Sequence, residues 1–146
     1  MPRVDGQAFL ADLKALEAEF THQVEAAVAR AVSETRAHAQ RTSLFNDRTG
    51  VLRSAIHGWS SGTEGEVQAL AKYAKFVNGG TVEHQITGNP FLRFEWKGVW
   101  VSFRWVTHPG TEPRPFMDEA ADWGELVLRQ NSEVYVWDAI NKFNAK

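Results

Sequence analysis

The stretch Pro90-Phe91-Leu92-Arg93-Phe94-Glu95-Trp96-Lys97-Gly98-Val99-Trp100-Val101-Ser102-Phe103-Arg104-Trp105-Val106 sets two β-rich runs on either side of a Lys-Gly pair. Aromatic and β-branched residues suit a pleated strand, and a two-residue connection suits a hairpin. With Lys97-Gly98 as the turn, Leu92 faces Phe103, Phe94 faces Val101 and Trp96 faces Val99, which makes one face wholly apolar. The other face pairs Phe91 with Arg104, Arg93 with Ser102 and Glu95 with Trp100. It is too polar for a core and too aromatic for idle surface, so it reads as a contact surface. Lys-Gly is a weaker turn pair than Asn-Gly, and a bulged turn would shift this register.

Downstream of the hairpin, His108 to Pro115 holds three prolines and a glycine and is expected to run extended and irregular. Phe116, Ala120, Trp123, Val127, Val134 and Trp137 then follow helical spacing, predicting a C-terminal helix over about 115–144. Gly124 weakens that helix, and Asn131-Ser132 offers a point where a second one would start. The Asp118-Glu119 pair suits the positive end of the helix dipole.

On the upstream side, Ala55 to Ser60 and Glu66 to Leu70 read as short strands joined through Ser61 to Gly65. A short helix from about Ala71 to Asn78 is expected to stop at Gly79-Gly80, where glycine accepts positive φ. Thr42 to Gly50 reads as a loop. Before it, from Asp5 to about Arg41, Phe9, Leu13, Leu16, Phe20, Val24 and Val28 recur at three- and four-residue steps. This predicts an amphipathic, Ala-rich helix with Asp5 as N-cap. At about 1.5 Å per residue it spans ~50 Å, more than a small domain covers, so part of it is expected to meet something outside its own domain. The whole describes a single α+β domain over 1–146, a mostly antiparallel sheet (about 50–112) packed by a long N-terminal helix (about 5–41) and a C-terminal helix.

Composition narrows the function classes. The chain has 146 residues with 16 Lys plus Arg, 18 Asp plus Glu and no cysteine. Disulfide frameworks, thiolate zinc sites and cysteine nucleophiles are therefore closed. A formal net charge of -2 predicts no general affinity for nucleic acid. The apolar runs fall short of a membrane span, and the N-terminus lacks a secretory pattern, so a soluble, unsecreted protein without membrane partners is expected. Nine Phe, six Trp and two Tyr are a heavy aromatic load, which Phe94, Trp96, Phe103 and the helix aromatics are expected to place in the core.

Catalytic and cofactor patterns do not emerge. His22, His38, His57, His84 and His108 form no close metal-ligating pair, and His-Glu-x-x-His does not occur. Gly58, Gly62 and Gly65 have loop spacing without a following Gly-Lys-Ser/Thr, and no serine sits in a Gly-x-Ser-x-Gly elbow. No enzyme activity, cofactor or metal is expected. Phe91, Arg93, Trp100 and Arg104 would suit a stacking platform for single-stranded nucleic acid, the alternative to a protein contact. Residues 1–48, 49–115 and 116–146 carry net charges of -1, +2 and -3, an asymmetry that would help copies associate head to tail, although differences this small are often just solvated surface.

Three segments, Thr49-Gly50-Val51-Leu52-Arg53-Ser54-Ala55-Ile56, then Tyr73-Ala74-Lys75-Phe76-Val77-Asn78-Gly79-Gly80-Thr81, then Pro113-Arg114-Pro115-Phe116-Met117, resemble in order and spacing the tail-completion or neck proteins of long-tailed bacteriophages. The resemblance covers roughly 45–125. It implies a structural virion subunit, made in the host cytoplasm, that forms a homo-oligomeric ring joining head connector to tail, with passive DNA contact in the lumen. The chain departs from that pattern at Asn78, where glutamate is common, and in its strongly aromatic hairpin. Tyr73, Val77 and Phe116 are expected to serve folding, whereas Arg114, a cation between two prolines, is expected to be presented to a partner. Phe91, Arg93, Trp100, Arg104, His108 and Arg114 make up the candidate interface.

Overall fold

A computed structural model describes residues 6–145. It is α+β, in the order α1 (Gly6–Arg41), α2 (Val51–Ser54), β1 (Ile56–Ser61), β2 (Glu64–Ala69), α3 (Ala74–Gly79), β3 (His84–Trp96), β4 (Val99–His108) and α4 (Phe116–Asn144). The proposed N-cap Asp5 lies outside the described residues. The single expected sheet is instead two separate antiparallel hairpins, β1-β2 and β3-β4. The chain divides into two compact units, one running to Ala71 and resuming at Phe116, the other Lys72–Pro115.

In the first unit, α1 and α4 run antiparallel: Glu19 meets Lys142 near one end and His38 meets Glu119 near the other. Their contact is built from small side chains. Ala27, Ala31 and Ala39 are buried on α1, and Ala120, Gly124, Val127 and Ala139 on α4. The buried stripe of α4 is thus rotated from the expected one. Phe116, Ala120 and Val127 belong to it, but Trp137 is 65% exposed, Val134 is exposed, and Trp123 lies at the edge, stacked on His38. Small residues win the contact because they let two helix backbones approach, and bulky indoles would hold them apart. The helix is continuous through Asn131-Ser132. On α1, Phe9, Leu10 and Leu13 are exposed.

The tightest point of the helix pair is Gly124, where an added Cβ would overlap Thr35 Oγ1, itself donating to the Ala31 carbonyl at 2.7 Å. Gly124→Ala is therefore expected to destabilise the chain by about 1–3 kcal/mol despite its better helix propensity. Thr35→Ala in the same chain should recover most of that loss in urea unfolding. Equal effects in both backgrounds would contradict the packing.

β1-β2 lies on α1. Gly58 and Gly65 are strand residues rather than loop residues: a Cβ on either would press into Val32, and only Gly62, at φ 56°, belongs to the turn. Absent side chains bring this hairpin against the helix.

At the far end Lys142 bridges Glu19 (3.1 Å) and Asp138 (3.0 Å). The Gln23 amide, then Lys142, hold the Glu19 carboxyl below its ordinary 4.5, while Asp138, then Glu19, hold the Lys142 ammonium above its ordinary 10.5. Glu19 thus adds stability above 4.5 that fades as pH falls through its lowered value. Lys142 adds stability below 10.5 that fades as pH rises through its raised value. The group is exposed, so the effect is small and salt-sensitive. Lys142→Ala should lower the thermal midpoint slightly at neutral pH and leave it unchanged well below pH 4.5.

Candidate functional site

The second unit is built around β3-β4. Lys97 and Gly98 both take positive φ, 50° and 81°, the backbone of a type I′ turn. That turn sets the register: Trp96 opposes Val99, Glu95 Trp100, Phe94 Val101, Arg93 Ser102 and Leu92 Phe103, as expected. Beyond this point the register shifts. Gly88-Asn89-Pro90-Phe91, with a cis Asn89–Pro90 bond, stands opposite Arg104 alone, so Phe91 and Arg104 are not the simple cross-strand pair expected from the sequence. They still meet, because the Arg104 guanidinium lies 5.9 Å above the Phe91 ring. Pairing then resumes to His84 opposite His108, so the hairpin extends past both expected ends.

β4 is regular, so Trp100, Ser102, Arg104, Val106 and His108 share one face, joined by Arg93 and Glu95. Trp100 is 68% exposed and Phe91 is exposed as well. At the foot of this face the His84 and His108 rings are 5.2 Å apart. His84 Nδ1 donates to the Val82 carbonyl (2.8 Å), while His108 Nδ1 accepts from the Gly110 amide (3.1 Å). Five of the six candidate interface residues are thereby gathered on one surface. Arg114 stands apart, with its backbone N–H donating to the carbonyls of Val77 (3.0 Å) and Asn78 (3.1 Å) and its side chain exposed.

The opposite face corrects an expectation. Phe94 is half-buried, but Trp96 is 58% exposed, and Val99, Phe103 and Trp105 are exposed too. These side chains do not form a core; the buried stripe of α1 in the first unit packs on α4 and on β1-β2. Both faces of β3-β4 therefore carry exposed aromatic side chains.

The three sequence segments prove to be joints. In the second unit, Thr81 and Thr111 exchange backbone hydrogen bonds at 3.0 Å each, with their hydroxyls 3.1 Å apart. This bridge and the Arg114 amide tie the Gly79-Gly80-Thr81 corner to the proline segment, closing the base of the hairpin. In the first unit, Arg53 donates to the carbonyls of Gln40, in the last turn of α1, and of Thr42 (2.8 Å) and Phe45 (3.3 Å) just beyond it. Its guanidinium lies 4.7 Å over the Phe45 ring, which meets Phe116 edge-on at 4.8 Å. Gln40 reciprocates by donating to the carbonyls of Arg53 and Ile56. The first segment and Phe116 of the third thus meet through Phe45, a residue that sequence periodicity did not single out; Phe116 is fully buried, as expected of a folding residue.

Among the described residues no group of three or more His, Asp or Glu is placed to hold a metal ion. One open groove of about 410 Å³ contains the His38–Glu119 pair at 3.5 Å and the Trp123 ring, with Glu34 and Arg41 on its walls. Compared with protein families, curated proteins and solved structures, the chain shows no significant match to any of them. No helix among the described residues is long and apolar enough to cross a membrane.

Proposed function

We propose that the protein is a non-enzymatic structural subunit of the head-tail junction of a long-tailed phage, assembling into a homo-oligomeric ring between head connector and tail. The observation that carries this reading is the β3-β4 hairpin, whose apolar face is solvent-exposed and whose reverse carries Phe91, Arg93, Trp100, Arg104 and His108. A monomer has no use for such a face, whereas a subunit flanked by copies and by neighbouring virion proteins covers it. The ordered motifs around Arg53, Gly80 and Phe116 add support, since they brace the units that present these surfaces. DNA passing through the lumen is a passive contact. Electron microscopy of intact particles tests the assignment: density for this chain at the neck is expected, and its absence from virions overturns it.

A second reading rests on the stacking of Arg104 on Phe91 beside exposed Trp100, which would take unpaired bases. Glu95, directly opposite Trp100, opposes a phosphate backbone there and favours a protein partner. Tight, salt-sensitive binding to single strands, lost in Arg104→Ala, would decide for the nucleic-acid reading, and no binding at low salt would end it.

A further inference from the structure

Each unit carries an apolar surface that packing leaves open to solvent. On the hairpin, Trp96, Val99, Phe103 and Trp105 fall on one face by register and are exposed. At about 100 Å² for each of these four exposed side chains, this face offers on the order of 400 Å², about half of one partner's share in a standard interface. On the helix unit, α1, β2 and α4 leave an open groove of about 400 Å³ walled by Val28, Val32, Val67 and Leu128. Gly65 and Gly124 also line it, so parts of its wall present backbone, and the acids Glu66 and Glu125 stand beside it.

The net charges of the two units favour one pairing of these surfaces. Lys72–Pro115 holds six basic and three acidic side chains, and the rest of the chain ten and fifteen, so the two units carry net +3 and -5. Two hairpins face to face would set +3 against +3. A hairpin against the helix unit of another copy sets opposite signs together, which steers the encounter and penalises the alternative.

We infer that the hairpin's apolar face of one copy seats in the α1-β2-α4 groove of the next copy. The inference takes over the self-associating part of the proposed function and names its two surfaces. The contact is heterologous: every open assembly leaves one groove free at one end and one hairpin face free at the other, so association continues until a ring closes.

Complementation between two variants of the full chain tests it. Trp96→Ser with Trp105→Ser removes the hairpin anchors, and Leu128→Lys places a cation in the groove; both sets lie at exposed positions. By analytical ultracentrifugation, each variant alone should associate about tenfold or more weakly than the unaltered chain. Their equal mixture should form a one-to-one dimer that grows no further, because the intact hairpin of one finds the intact groove of the other. If circular dichroism shows that Leu128→Lys has lost its helices, Glu66→Lys with Glu125→Lys supplies the groove arm. A hairpin variant that assembles like the unaltered chain overturns this inference and leaves the ring standing. Normal assembly of the groove variants alone means that the hairpin seats elsewhere than in the groove, which also overturns it. An unaltered chain that stays monomeric removes both the inference and the ring.

Discussion

Arg53→Ala is expected to lower the stability of the helix unit by about 3 kcal/mol, with a fall in thermal midpoint of roughly 10 °C. The guanidinium holds three carbonyls, those of Gln40, Thr42 and Phe45, where α1 ends and its last carbonyls have no helical partners. Hydrogen bonds to a charged donor contribute about 1.5–3 kcal/mol together with the cost of leaving the acceptors unmatched, and the Phe45 ring adds about 0.5–1 kcal/mol. Water reaches the half-buried site and replaces part of this, which keeps the total near the middle of the range. Lys at 53 should recover little, because one ammonium cannot reproduce a planar fork spanning several carbonyls. Thermal unfolding followed by circular dichroism reads the effect. A change below about 0.5 kcal/mol would show that the network is decoration on the fold.

Gly80→Val should release the base of the hairpin. Gly80 sits at φ 69° and ψ -173°, a region essentially closed to residues with a side chain. A Cβ there would also come within 2.5 Å of the Thr111 carbonyl oxygen and 2.8 Å of the Pro113 nitrogen. Both obstacles are backbone, so neither can swing aside as a side chain would. The expected loss is about 3 kcal/mol or more, concentrated in Lys72–Pro115. Hydrogen exchange locates it: the Thr81 and Thr111 amides, which bond across the bridge, should lose protection, while those of α1 and α4 keep theirs. Unchanged protection at Thr81 would contradict the joint.

Local chemistry made much of this fold readable before any coordinates. The tip register of β3-β4 followed from Lys97-Gly98 and period-two alternation, and the long N-terminal helix from its three- and four-residue spacing. Tertiary geometry supplied the rest. The extra residues of Gly88–Phe91 leave no hydrophobic periodicity behind, so the shift opposite Arg104 was invisible. Trp123, Val134 and Trp137 form as good a helical stripe as the buried one. Only the partner helix, with its alanines and Thr35, selects the neighbouring face through Gly124. The four-residue α2 is too short for a periodic signal, although Arg53 within it organises three chain segments.

The candidate surface was legible in part for the same reason. Alternation along a regular strand put Arg93, Trp100 and Arg104 together on β4 and its neighbour, and Phe91 remained with them through the bulge, whereas His108, expected in the irregular segment, joined them only because β4 runs on to it. Arg114 was singled out for its two flanking prolines, yet its amide, not its charge, makes the contacts seen here. The uncovered apolar face could not be read from the hairpin alone. Alternation says that a face is apolar but not which element, or which copy, will cover it.

In the proposed ring this chain covers its exposed faces with copies of itself. Native mass spectrometry of the purified full chain across micromolar concentrations tests that most directly. One dominant closed species at an integral multiple of 16.4 kDa is expected, and a persistent 16.4 kDa monomer would show that the exposed faces are not covered by copies.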